Sequence, residues 1–412
     1  MPGDERGSAD RPALARLLAV APDAFASEYW GSRALFARAA TLPGGFADLF
    51  TADDVDELVT RRALRTPFVR MANEGSVLSP SRYTAPGGFG AEINDQVSAD
   101  KVLDEFAAGA TLVLQGLHRT WAPLEEFTRQ LVSDLGHPAQ VNAYITPASA
   151  RGFDPHYDVH DVFVIQIAGQ KSWRIHPPVH QSPLRSQPWD DHRAEVGREA
   201  QNTPAIEETF RPGDVLYLPR GWIHSATALG GTSIHLTIGV AALTRHDVLR
   251  EVLARAETAE TLRAALPLGI DLTDPAVVAA LVSDAVSDLA EFSTADADQA
   301  TQVARRLARR VRDSTRPEPI APLAAVNSAA SLHEATTVSL RHGLDGRVVA
   351  DGARVSLVLP TKSITLPVEA REALTAVLTG DTVRAGDLPG LDPASALVVA
   401  RRLVREGVLV VR

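Results

Sequence analysis

From residue 140 onward the chain alternates apolar and polar positions with a period of two, in the segments QVNAYIT, DVFVIQI, KSWRIHP, DVLYLP, WIHSATAL and TSIHLTIGV. Alternation of this kind sets one face of a strand against a core. Gly, Pro and Asp punctuate the segments, so six short strands are predicted, with a tight turn at Ala168-Gly169-Gln170. Short strands at this spacing predict an antiparallel sandwich or barrel. Residues 1 to about 135 carry helical spacing broken by loops, as in TADDVDELVT and SADKVLDEFAAG, where Thr51 and Ser98 are placed as N-caps.

After residue 244 the strand pattern gives way to a spacing of three to four. RHDVLREVLARAETAETLRAAL, DPAVVAALVSDAVSDLAEF (with Pro275 at a first helical position) and ADQATQVARRLARRVRD are predicted as helices. In the last of them Val303, Leu307 and Val311 form a narrow apolar stripe among Arg305, Arg306, Arg309 and Arg310. A solvated arginine face is expected there, with an oligomer contact or acidic partner as the alternative. TRPEPIAP reads as a linker. RVSLVLPTKSITLP then predicts two strands, VEAREALTAVLTG and DPASALVVARRLVREG two helices, and VLVVR a final strand, an order that suggests a small winged-helix-like unit.

Composition narrows the chemistry. At 412 residues the chain is long enough for two or three domains. A net charge of −10 and a pI near 5.7 argue against general polyanion binding. From residue 321 on, ten basic residues stand against nine acidic ones, so the winged-helix-like unit is expected to contact protein rather than nucleic acid. With no cysteine, disulfides, thiolate zinc sites and cysteine nucleophiles are excluded together, and any metal must be held by His, Asp or Glu. The N-terminal segment has neither a signal peptide's pattern nor a membrane span's, so a cytoplasmic protein is expected.

Seven of the twelve histidines fall between 156 and 235. His156, Asp158, His160 and Asp161 crowd the start of DVFVIQI, and ionisable groups beside a buried strand are costly unless something pairs with them. A metal ion is one such partner. Residues two apart on a strand share a face, so His156 and Asp158 reach one ion. A third ligand comes from His224 in GDVLYLPRGWIHSATAL, or from its rival His235 in TSIHLTIGV. Two histidines and one carboxylate leave three positions open on an octahedral ion, the arrangement of non-haem Fe(II) oxygenases. Such enzymes draw two electrons from a co-substrate, usually 2-oxoglutarate, whose distal carboxylate needs a buried cation. Lys171, one of only three lysines in the chain, shares the odd-numbered parity of Trp173 and Ile175 and is placed to project inward.

GFDPHYDVHDVFVIQIAGQKSWRIHPP together with PGDVLYLPRGWIHSATA resembles the JmjC-type cupin oxygenases, in the ribosomal-oxygenase branch that hydroxylates ribosomal proteins. FASEYWGSRALFARA resembles the family's Tyr-Trp opening, so the similarity spans residues 25 to 245. The resemblance implies a double-stranded β-helix, iron held by His156, Asp158 and His224, 2-oxoglutarate anchored by Lys171, and a pocket lined by Asn142 and Tyr144. It also implies N-terminal helical additions within a catalytic domain over 1–244, a helical dimerisation domain over 245–318 and a winged-helix-like domain over 319–412. One departure is Gly239, where some members carry serine, which unsettles the substrate contact.

The expected activity is therefore Fe(II)-, 2-oxoglutarate- and dioxygen-dependent hydroxylation of a His or Arg side chain of a ribosomal protein, by a homodimer. Phe163, Ile165 and Trp173 are expected to keep the site dry, with core packing as an equal alternative for them. A tailoring hydroxylase of a peptide or small molecule is the rival enzyme. A ligand-sensing DNA-binding regulator is the rival from another class.

Overall fold

The computed structural model describes residues 11–73, 75–90, 92–148, 154–295 and 298–412, so Gly152 and Phe153 of the motif above lie outside the described residues. The chain divides into two compact units, Met1–Thr244 and Arg245–Arg412.

The strands of the first unit are β1 (Leu35–Ala37), β2 (Val69–Asn73), β3 (Ser76–Val77), β4 (Thr84–Ala85), β5 (Gln96–Val97), β6 (Thr111–Leu114), β7 (Ala139–Thr146), β8 (Asp161–His176), β9 (Ile206–Phe210), β10 (Val215–Leu218) and β11 (Ile223–Val240). β4 and β5 form a separate ribbon. The others make one antiparallel sheet in the order β1-β10-β8-β11-β7-β6-β2-β3, with β9 added on β8.

Four of the six predicted short strands are two long ones. DVFVIQI and KSWRIHP form the single 16-residue β8, and WIHSATAL and TSIHLTIGV the single 18-residue β11, so Ala168-Gly169-Gln170 does not reverse the chain. It bends it. Gln166 pairs with His235 and Ala168 with Ile234, leaving Ile167 as an inserted bulge residue. Gly169 then adopts φ +64°, and a Cβ there would lie 2.1 Å from the Thr232 carbonyl oxygen. Gly230, at φ +75°, serves the facing bend in β11. The first half of β8 thus pairs with β10 and β11, and the second half with β9 and β11, curving the sheet into a cup.

Gly169→Ala combines a left-handed backbone with a clash against main chain, and is expected to cost at least about 2 kcal/mol. A urea titration should show a lower midpoint at unchanged slope. An unmoved midpoint would contradict the bend.

The helical reading of the N-terminal region holds where capping chemistry is strong. Ala52–Arg61 starts on a capping box in which Thr51 N donates to Asp54 Oδ2 at 2.8 Å and Asp54 N to Thr51 Oγ1 at 3.4 Å. Ala99–Ala107 starts on Ser98. β2 and β6, which the sequence reading left among loops, extend the sheet beyond β7.

The second unit opens with helices Arg245–Ala256, Glu260–Arg263, Pro275–Ala295 and Gln299–Ser314. The arginine face is partly engaged, since Arg306 pairs with Glu251 at 3.5 Å and Arg310 with Asp247. Helix Pro322–Ser331 and β12 (Thr337–Leu340) follow, then β13 (Arg347–Asp351), β14 (Arg354–Val358) and β15 (Ser363–Pro367). The chain ends with helix Arg371–Val377, β16 (Val383–Arg384), helix Pro393–Arg405 and β17 (Leu409–Val411). β13-β14-β15 and β16-β12-β17 are antiparallel sheets around a core that includes Val338, Val355, Leu357, Leu374 and Leu403. The predicted strands of RVSLVLPTKSITLP and VLVVR are present, and β12, β13 and β16 are additional. No described helix of the chain is long and apolar enough to cross a membrane.

Candidate active site

The segment before β8 and the start of β11 are tied together by their backbones. His156 N donates to His224 O at 3.3 Å and His224 N to His156 O at 2.9 Å. Gly221 N donates to Asp158 O at 3.0 Å, across a turn that demands glycine, because φ is +91° and a Cβ would meet His180 O at 2.6 Å. Asp161 holds that turn from below. Fully buried, it accepts from Tyr217 Oη at 2.6 Å, Arg220 N at 3.1 Å and Arg220 Nη1 at 3.3 Å. The second aspartate of the motif is therefore a structural anion, answered by an arginine and a phenol.

The ligating atoms of His156, Asp158 and His224 consequently lie within 4.8 Å of one another, with the two imidazole centroids 4.4 Å apart and His224 Nε2 3.7 Å from Asp158 Oδ2. His156 Nδ1 is 2.7 Å from Asp154 O, and His224 Nδ1 is 3.1 Å from Trp222 O. A carbonyl accepts only, so both Nδ1 atoms donate, which leaves Nε2 of each ring as the atom available to a metal. Burial, followed by the neighbouring His156, pushes His224 down to about 4, so it is neutral at physiological pH. Burial opposes ionisation of Asp158, but His224, His160 and His156 together hold its carboxyl below the usual range. Two imidazoles and one carboxylate suit a hard-to-borderline divalent ion such as Fe(II).

The triad opens on a cavity of about 290 Å³ whose lining includes Val162, Val164, Lys171, Trp173, Leu218 and Thr237. Even-numbered residues of β8 face it before the Ile167 bulge and odd-numbered ones after, since one inserted residue flips the alternation. Lys171 and Trp173 line it, as expected. Phe163 and Ile165 do not: Phe163 packs on the opposite face, 5.0 Å from Tyr217 and 6.0 Å from Phe25 between ring centroids, so Val162 and Val164 take the wall role assigned to them.

Lys171 is 4% exposed, and no described carboxylate pairs with it. Its Nζ reaches Thr146 Oγ1 at 3.3 Å, and burial pushes it down to about 8. A buried ammonium whose described partners are a neutral hydroxyl and, 5.9 Å away, the Trp173 ring is costly to maintain and suits an incoming anion. The indole Nε1 of Trp173 and Nδ1 of His235, nearby in the lining, are also buried without hydrogen-bond partners.

His235, the rival ligand, is not part of the triad. It stacks on Tyr144 at 5.0 Å and meets Trp173 edge-on at 5.4 Å, and burial holds it well below the usual imidazole value. Tyr144 lines the cavity. Asn142, two residues earlier on β7, is not in the lining, and its Oδ1 accepts from Gly116 N at 3.0 Å. Arg70 and Thr111, on the strands that sequence reasoning missed, line the cavity as well, and Arg70 offsets the rise that burial imposes on the Tyr144 phenol. An arginine between apolar residues in FVRMA was the available signal.

Residues 118–248 match the JmjC domain family. Over 270 residues, 62% of the chain, it is 29% identical to the bifunctional lysine-specific demethylase and histidyl-hydroxylase NO66 of Drosophila persimilis, and the match spans 36% of that relative. Over 225 residues, 53% of the chain, it is 30% identical to ribosomal oxygenase 1 of Gallus gallus, spanning 35% of that protein. The chain thus spans about a third of the length of the curated relatives it matches. A solved Escherichia coli ribosomal oxygenase, YcfD, superposes with a TM-score of 0.51 at 18% identity, covering 96% of this chain and 99% of the other. That protein has also been solved in complex with cobalt and 2-oxoglutarate, and this form matches with a TM-score of 0.50 over 95% of this chain and 98% of the other.

Proposed function

We infer that this chain, whose residues 118–248 match the JmjC domain family, is an Fe(II)- and 2-oxoglutarate-dependent oxygenase that hydroxylates a side chain of a ribosomal protein. The observation that carries the reading is the convergence of His156, Asp158 and His224 beside a buried, carboxylate-free Lys171. The similarity to ribosomal oxygenase 1 and to a histidyl-hydroxylase supports a His side chain as the target, with an Arg side chain as the alternative.

In this reading His156, Asp158 and His224 hold the iron, which when bound supplies the reduction of dioxygen coupled to conversion of 2-oxoglutarate to succinate and carbon dioxide. Asp154 O and Trp222 O fix the two imidazoles in the tautomer that ligates. Lys171 and Thr146 receive the distal carboxylate and so set the position of the oxo-acid end. Trp173, Val162, Val164 and Leu218 exclude water from the reacting centre. Tyr144 approaches the co-substrate and substrate from β7, while Asn142 is held by Gly116 N outside the lining.

Purified protein with Fe(II), 2-oxoglutarate and ascorbate should add one oxygen atom to a ribosomal protein from the source cell, read by mass spectrometry. Succinate release with oxidation of a small molecule or non-ribosomal peptide instead would favour the tailoring hydroxylase. Retention on DNA at physiological salt without turnover would favour the regulator.

Because the protonated amine is the binding form and burial lowers Lys171 from 10.5 to about 8, kcat/KM for 2-oxoglutarate should be flat below that pH and fall about tenfold per pH unit above it. A flat profile to pH 10 would remove Lys171 from the co-substrate site.

The second unit is read as a helical dimerisation region over 245–318 followed by a winged-helix-like domain over 319–412. Val278, Val282 and Val286 form an exposed stripe along Pro275–Ala295, which supports a homodimer contact. Val282→Asp should convert a dimer to a monomer in analytical ultracentrifugation, while a monomeric wild type would dismiss the assignment. A cytoplasmic location fits a ribosomal substrate.

A further inference from the structure

Arg70 is the cation of the cavity for which the oxygenase reading has no use. It sits on β2 and pairs with Val113 of β6, which pairs in turn with Tyr144 of β7. Residues paired across adjacent strands share a face, so Arg70 is carried on the same wall as Tyr144, and both line the cavity. Ala72 and Gly75, further along the chain from Arg70, line it as well, beside Thr111.

An arginine in such a place ordinarily has an anion to meet it. Here the Nε of Arg70 is buried without a hydrogen-bond partner. Among the described residues Asp158 is the only carboxylate of the lining, and it belongs to the triad. Tyr83 and Tyr144 lie within electrostatic reach of Arg70, but burial pushes both phenols up, so they stay neutral and offer no counter-charge.

Filling the site leaves this charge over. A divalent ion and Lys171 are answered by Asp158 and the two carboxylates of 2-oxoglutarate. Arg70 is also the more accessible cation, half-buried where Lys171 is 4% exposed. The anion it awaits therefore arrives from solvent, after the co-substrate is seated deeper. A guanidinium presents a planar fork of donors that holds a carboxylate through two parallel hydrogen bonds.

We propose that Arg70 is a specificity-determining residue, whose guanidinium receives the carboxylate of an Asp or Glu that the polypeptide carries within a few residues of the oxidised side chain. The proposal rests on the oxygenase reading and adds a requirement on the sequence around the target, whichever side chain is oxidised.

Anaerobic titration separates this binding from turnover. The full chain, loaded with Fe(II) and 2-oxoglutarate, is titrated with a fluorescent peptide spanning the ribosomal segment that the wild type oxidises, and with the same peptide carrying Asn or Gln in place of its nearest Asp or Glu. The wild type should bind the exchanged peptide about tenfold more weakly, as loss of one charge-assisted contact requires. Arg70→Gln should bind both peptides equally, and Arg70→Lys, which keeps the charge without the fork, should keep a smaller preference. Equal affinity of the wild type for the two peptides, the same preference in Arg70→Gln, or an oxidised segment with no acidic residue near the target would overturn the proposal. So would a raised KM for 2-oxoglutarate in Arg70→Gln with peptide binding unmoved, since the guanidinium would then serve the co-substrate. A wild type that oxidises no polypeptide would refute the oxygenase reading itself, before any variant is compared, and this assignment with it.

Discussion

Asp158→Ala should reduce 2-oxoglutarate turnover by about a thousandfold or more while leaving the protein folded. The carboxylate is the only acidic member of the triad, and two imidazoles without it retain little hold on a divalent ion. Loss of a metal's charge stabilisation is worth several kcal/mol, and about 4 kcal/mol corresponds to about a thousandfold in rate. Folding does not depend on this carboxylate in the same way. Its backbone oxygen, not its side chain, accepts from Gly221 N, and the turn is secured by Asp161 with Arg220 and Tyr217. Circular dichroism should be unchanged as turnover collapses. By contrast, Asp161→Ala leaves Tyr217 and Arg220 without their buried acceptor and should lower stability together with activity. Turnover by Asp158→Ala within about tenfold of the wild type would contradict the ligand assignment.

Lys171→Met should separate function from stability in the opposite sense. The ammonium is buried with one neutral hydroxyl and the Trp173 ring in reach but no described carboxylate, and burial alone accounts for its lowered pKa. Replacing a buried, unpaired charge by an apolar side chain of similar length removes a desolvation cost. The ligand-free variant should therefore melt at the same temperature as the wild type or higher. Its KM for 2-oxoglutarate should rise about a hundredfold, the equivalent of one charge-assisted contact to a carboxylate at about 3 kcal/mol. A lysine held for structural reasons would give the reverse, with reduced stability and an unmoved KM.

The motif residues were legible because their chemistry is local. His156, Asp158 and His224 stand out as ionisable groups beside apolar strands, and a buried charge demands a partner wherever the chain goes. The inward direction of Lys171 and Trp173 was also legible, because alternation holds within the second half of β8. It failed across the Ile167 bulge. Counting by twos from Lys171 back to Phe163 and Ile165 crosses an inserted residue, and the faces exchange. The same bulge and Gly169 explain why a turn was expected where the strand runs on, since a positive-φ glycine serves a hairpin and a bend equally well. Thr51 and Ser98 were readable as caps from side-chain chemistry within three residues. β2 and β6 were not, because four or five residues such as TLVL, buried at every position, show no alternation to read. With them went Arg70 and Thr111. The choice between His224 and His235 also lay beyond periodicity, since it depends on the backbone bridge from His156 to His224 and the stacking of His235 on Tyr144.

Anaerobic equilibrium dialysis with Fe(II) against the wild type, His156→Ala, His224→Ala and His235→Gln tests the site most directly. One tightly held ion per chain is predicted in the wild type and in His235→Gln, and none in the other two. Iron retained by His224→Ala, or lost from His235→Gln alone, would contradict the account.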